Sequence, residues 1–170
     1  PTAFAALRHD GSIYSWGEEA SGGINGGTYP PGYVSGTKVA APTRAGYKLI
    51  AACNTGFCAL WHDGSVDCWG AEINSIGGSS ATGYTARPTD AGYVALHANR
   101  KAFLGIKQDG SVAAWGQNTF GATLPSVSDR SGIVSVYSNE YAFAGLKADG
   151  SIVCWGTASS GGSTGCPSAA

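Results

Sequence analysis

Few side chains in this 170-residue chain have the types and spacing to do chemistry. Five cysteines stand at Cys53, Cys58, Cys68, Cys154 and Cys166, and three histidines at His9, His62 and His97. Zinc needs four well-placed ligands, and the 53, 58, 68 spacing offers three without a clear fourth. Asp10, Asp63, Asp109 and Asp149 each precede Gly-Ser, but a calcium loop gathers several acids within about 12 residues. One isolated carboxylate per site is instead what a tight turn uses. Glu18, Glu19 and Glu72 could suggest the paired carboxylates of glycoside hydrolysis, yet Gln117 and Thr157 take the corresponding places further along, so they read as solvated loop residues. No Cys–His pairing stands out in the sequence. This reading assigns no catalytic residue, no metal and no cofactor.

The elements that carry these residues are copies of one unit. Four segments align without a gap, at 3–17, 56–70, 102–116 and 142–156, on the pattern small-Phe-x-small-Leu/Ile-x-x-Asp-Gly-Ser-Val/Ile-x-x-Trp-Gly. Asp-Gly between two alternating apolar runs signals a β-hairpin, because Gly takes the positive φ that the turn needs. A type I turn with Gly64 as the bulge sets Leu60 against Val66, Cys58 against Cys68 and Phe57 against Trp69; a plain two-residue turn would shift the pairing by one. The Phe and Trp of each copy (Phe4 and Trp16, Phe57 and Trp69, Phe103 and Trp115, Phe143 and Trp155) then line one face as repeat core, with aliphatic, Cys or Ala residues on the other. A sheet that is apolar on both faces must be covered on both, which stacking of the copies achieves. His9 and His62 fall in the turns, where Gln108 and Ala148 stand in the other copies.

Runs at 47–54, 93–100 and 133–140 precede the second, third and fourth hairpins as a third strand, whereas Pro1-Thr2 leaves the first without one. The segments after each Trp-Gly are rich in Gly, Ser, Pro and Tyr and read as loops. In this register Cys58–Cys68 is a candidate cross-strand disulfide, and Cys154–Cys166 a second one across a Gly/Ser-rich loop. That leaves Cys53 as a thiol, or available to another chain. Disulfides in turn favour an extracellular or secreted location.

Composition narrows the function. Charged residues are 12% of the chain, against roughly 25% in an ordinary domain, and the net charge is −1, so little repulsion keeps copies apart. The ten basic residues are scattered, which argues against nucleic acid, and no apolar run approaches the ~20 residues of a membrane span. The chain opens on Pro1 and holds no Met, which points to a processed or trimmed form or a segment of something longer.

The four Phe…Asp-Gly-Ser…Trp-Gly copies resemble the repeats of the regulator of chromosome condensation family, especially its shorter relatives with three-stranded blades and the bacterial β-lactamase-inhibitor propellers. The resemblance implies a β-propeller that acts by binding proteins. The expected fold is therefore all-β: a single repeat domain over 1–170, a propeller-like array of four three-stranded antiparallel blades with the first lacking a strand. It could be a piece of a longer propeller, a small closed ring, or an array whose edges are completed by neighbouring copies. The functional expectation is a non-enzymatic structural protein whose partners are further copies of itself. The alternatives are recognition of a foreign protein through the loop tyrosines Tyr29, Tyr33 and Tyr84, and, lower, the family's nucleotide-exchange role.

Overall fold

Each Asp-Gly-Ser closes its hairpin in the same way. The carboxylates of Asp10, Asp63, Asp109 and Asp149 accept the backbone N–H of the serine two residues on, at 2.7–2.9 Å. The intervening Gly11, Gly64, Gly110 and Gly150 take φ between +76° and +87°, and each donates its N–H three residues back. This is the type I turn followed by a left-handed glycine. It sets the register: Leu60 lies opposite Val66, Cys58 opposite Cys68 and Phe57 opposite Trp69.

The computed structural model describes residues 2–18, 21–23, 41–70, 83–126, 130–163 and 166–167. Among these residues, twelve strands form four antiparallel sheets. The first blade is the hairpin β1 (Ala3–Leu7) and β2 (Ile13–Gly17). The second is β3 (Tyr47–Ala52), β4 (Gly56–Trp61) and β5 (Val66–Gly70). The third comprises β7 (Tyr93–Ala98), β8 (Ala102–Lys107) and β9 (Val112–Gln117), with a two-residue strand β6 (Tyr84–Thr85) added outside β9. The fourth is β10 (Ile133–Ser138), β11 (Ala142–Lys147) and β12 (Ile152–Gly156). The fold is thus the all-β array of small antiparallel blades that the repeats imply. One difference is β6: the open outer edge of β9 offers unpaired backbone groups, and Tyr84 and Thr85 pair with Gln117 and Gly116 instead of lying in a loop.

The third strands stop two residues short of the runs read from the sequence, because a corner intervenes. Asn99 accepts the N–H groups of Lys101 and Ala102 on its side-chain oxygen, and Asn139 does the same for Tyr141 and Ala142. Each is an Asx-type corner that turns the chain from the first strand of the blade into the second. Between blades, the turn glycine's carbonyl accepts from the opening residue of the next blade: Tyr47 N–H to Gly11, Tyr93 to Gly64, Ile133 to Gly110, at 2.9–3.1 Å.

Burial follows the two-faced pattern. Phe57 and Trp69 of blade two pack on Ala3 and Ile13 of blade one. Phe103 and Trp115 of blade three pack on Cys58, Leu60 and Val66 of blade two. Phe143 and Trp155 of blade four pack on Leu104, Ile106 and Ala114 of blade three. Trp69 and Trp115 are 0% exposed and Trp155 3%.

Trp115→Ala should therefore lower the unfolding free energy by ~3–5 kcal/mol, as for a large aromatic removed from a packed core. Trp16→Ala, on an uncovered face, should cost under ~1 kcal/mol in dilute solution. Urea denaturation followed by circular dichroism checks both; equal costs would contradict the one-sided stacking.

Candidate functional site: two uncovered blade faces

Among the described residues, stacking consumes three aromatic faces and three aliphatic ones and leaves one of each uncovered. On blade one, the strand alternation puts Phe4, Tyr14 and Trp16 on the same side, and all three are exposed, Phe4 by 63% and Trp16 by 45%. Their rings are already ordered against each other. Phe4 stacks on Trp16 with centroids 5.4 Å apart and planes within 16°, the arrangement of the buried pairs Phe57–Trp69 (5.3 Å, 23°) and Phe143–Trp155 (5.8 Å, 26°). The Arg8 guanidinium lies over the Tyr14 ring at 5.1 Å and puts a cation at the rim of the patch.

At the other end, the register places Ala142, Ala144, Leu146, Ile152 and Cys154 of blade four on the side away from blade three, with Tyr137 of β10 beside them. Tyr137 is exposed, and Ala144, Leu146, Ile152 and Cys154 are half-buried. Their counterparts on blade three include Leu104, Ile106 and Ala114, all buried by blade four. No charged side chain stands among these residues. A hollow of about 320 Å³ opens on this side between Tyr137, Asn139, Ala144 and Gly161.

The disulfides divide between a covered and an uncovered face. Cys58–Cys68 joins directly opposed residues of β4 and β5, and Cys58 is fully buried at the junction of blades two and three. Cys154–Cys166 ties β12 to the segment that follows blade four. Cys53 is buried in the junction of blades two and three, its Sγ 3.8 Å from the Thr55 hydroxyl, and occupies the corner position that Asn99 and Asn139 hold in the later blades.

The other residues singled out from the sequence do not come together. Tyr84 is half-buried in β6, and Tyr29 and Tyr33 lie outside the described residues, as do Glu19 and Glu72. Glu18 accepts from Thr2 and Ser21 at the foot of blade one. His9 and His62 sit exposed in turns, and His62 packs against the Trp61 ring. His97 is half-buried on β7, and burial pushes its imidazole below the usual range. Hydrogen bonds from the neighbouring serines hold the four turn aspartates below the usual carboxylate range. Among the described residues no three His, Cys, Asp or Glu side chains gather as a metal set.

Two polar clusters escape sequence reasoning because their members lie far apart in the chain. Arg44 lies 4.1 Å over the Trp61 ring and donates to Tyr47 Oη and Asp67, while Tyr47 also donates to Asp67. Burial, then the bond to Asp67, pushes the Tyr47 hydroxyl up to about 12. In blade three, Asp90 takes both Lys107 (2.6 Å) and Tyr93 (2.9 Å); Lys107 holds its carboxyl down, and burial raises the Tyr93 hydroxyl. Both clusters anchor the first strand of a blade.

No family model and no curated protein sequence matches the chain. Solved structures do. The ectodomain of the Physcomitrella patens receptor kinase CR4 superposes with a TM-score of 0.60 at 21% identity, over 91% of this chain and 38% of that one. Yeast RCC1 (Prp20), solved bound to Kap60, gives 0.58 at 19% identity over 91% and 40%. Human WBSCR16 gives 0.61 at 16% identity over 91% and 45%. The chain thus spans less than half the length of these proteins. At such identities the likeness speaks to architecture, and the architecture is that of the RCC1-like repeat propellers.

Proposed function

We propose that the protein is a non-enzymatic structural protein that works by binding other proteins, and that its partners are further copies of itself outside the cell. The observation that carries this is the inventory of faces. Among the described residues, every internal junction joins an aromatic face to an aliphatic one, and the two faces left uncovered are one of each kind. A net charge of −1 opposes association little. Among the structural neighbours, Prp20 was solved bound to Kap60, which supports protein binding as a use of this architecture. The two disulfides and the similarity to a receptor ectodomain support an extracellular setting. Recognition of a foreign protein through loop tyrosines has less support, since Tyr84 is half-buried and engaged in β6.

Multi-angle light scattering over a concentration series, with negative-stain electron microscopy of the same sample, tests the reading. The expected result is mass that grows with concentration and visible oligomers or filaments. One monomeric mass throughout would refute self-assembly and return attention to a foreign partner.

A further inference from the structure

We propose that Phe4 and Trp16 of one copy seat against Gly161 on the fourth blade of the next, so that the contact between copies repeats the junction between blades. This rests on the self-assembly reading above and names its interface.

The seat is visible in a comparison of three glycines. Gly22, Gly121 and Gly161 each stand six residues after their blade's tryptophan, and all take the left-handed conformation, with φ of +91°, +98° and +89°. Gly121 and Gly161 end the short 3₁₀ turns Asn118–Phe120 and Ala158–Ser160. At Gly22, a Cβ would come within 3.0 Å of the Phe57 ring and 3.1 Å of the Trp69 ring; at Gly121, within 2.8 Å of Phe143 and 3.2 Å of Trp155. These glycines are where the Phe–Trp pair of the following blade rests on the preceding one. At Gly161 the same geometry meets open space, with nothing within 4 Å among the described residues. The hollow of about 320 Å³ lies there, bounded by Gly161, Ser160, Ala144 and Tyr137.

The seat does not need its occupant in order to form. Asn139 donates to the Ser160 carbonyl at 2.8 Å, as Asn99 donates to the Phe120 carbonyl at 2.6 Å, so each turn is held from within its own blade. Gly162 and Ala122 close the two turns alike, by donating to Thr157 and Gln117. The plug is equally preformed, because Phe4 and Trp16 already stack as the buried pairs do. Two rigid, preorganised apolar surfaces lose little conformational freedom on meeting. The contact joins different patches on the two copies. It is therefore heterologous and adds copies in one direction, to a filament or to a ring if the rotation closes.

The test uses one substitution in each surface. Trp16→Lys blocks the plug and Ala144→Arg blocks the seat; both residues lie outside the internal junctions, so both variants should keep the circular dichroism spectrum and disulfides of the parent. Each alone should associate roughly thirtyfold or more weakly than the parent, the loss typical of a central interface tryptophan. Mixed in equal amounts, they should form a discrete heterodimer that grows no further, since one intact plug and one intact seat remain. Phe4→Asp and Leu146→Glu serve as second variants if either first choice misfolds. A parent that stays monomeric would overturn both this interface and the self-assembly reading. A parent that assembles while either variant assembles equally well, or a mixture of two blocked variants that does not dimerise, would overturn this interface and leave self-assembly standing.

Discussion

Everything in this architecture depends on one contact, a stacked Phe–Trp pair pressed into the aliphatic face of the preceding blade. A two-stranded hairpin is at best marginally stable alone in water, and a sheet of three or four short strands still needs its apolar surface packed. Here each sheet is apolar on both sides, which makes the isolated unit worse and the stacked unit better. Fully burying one large apolar side chain contributes ~1.5–3 kcal/mol, and each junction buries several from both partners. Trp69, Trp115 and Trp155 sit in those junctions together with Phe57, Phe103 and Phe143, the large buried aromatics of the repeat.

Such stacking works only if every blade presents its faces in the same pose. The polar residues of the repeat serve this end. The Asp-Gly-Ser turn fixes the hairpin register, and its glycine carbonyl receives the first strand of the next blade. The Asn corner fixes the angle between first and second strands and, through its side-chain N–H, ties down the turn that follows the third. The connections between copies differ in length and composition without disturbing this frame. The second blade departs from it at Cys53, where a thiol stands in place of the asparagine and packs into the junction core instead.

The frame was legible in the sequence because its signals are local. Asp-Gly between alternating apolar runs marks a hairpin and narrows its register to two, of which the bulged type I turn is the one adopted, and two apolar faces per hairpin imply stacking. What was not legible depends on neighbours. Tyr84 and Thr85 have no strand pattern of their own and pair because β9 leaves an edge open. The Arg44–Tyr47–Asp67 cluster joins residues up to 23 apart across two strands and a connection. Gly161 could be found by its place six residues after Trp155, shared with Gly22 and Gly121 though not with Ser75 of the second copy, but its meaning could not. Gly121, in the same conformation, is filled and Gly161 is open, and only the packing of the following blade distinguishes them. Likewise, Phe4 and Trp16 read as core from their place in the repeat and are exposed in the structure, because no aliphatic face among the described residues covers theirs.

The second disulfide bears on why the open face of blade four keeps the shape of a covered one. After each blade a residue precedes a proline: Ala41 before Pro42, Arg87 before Pro88, Leu124 before Pro125 and Cys166 before Pro167. In the first three places this residue lies against the preceding blade. Ala41 is buried with Ala3 and Ile13, Arg87 donates to the Val66 carbonyl, and Leu124 packs beside Leu104 and Ile106. Each is also followed by a blade that presses it home. Cys166 takes the equivalent position, 3.9 Å from the carbonyl of Ile152, which is the repeat counterpart of Val66. No blade covers it among the described residues. Its bond to Cys154 does covalently what packing does elsewhere, holding the lead-in segment on the sheet. Placing a disulfide on the aliphatic face that has no neighbour among the described residues gives that face the rigidity that the others derive from burial, and a rigid apolar face is what a docking partner of matching shape requires.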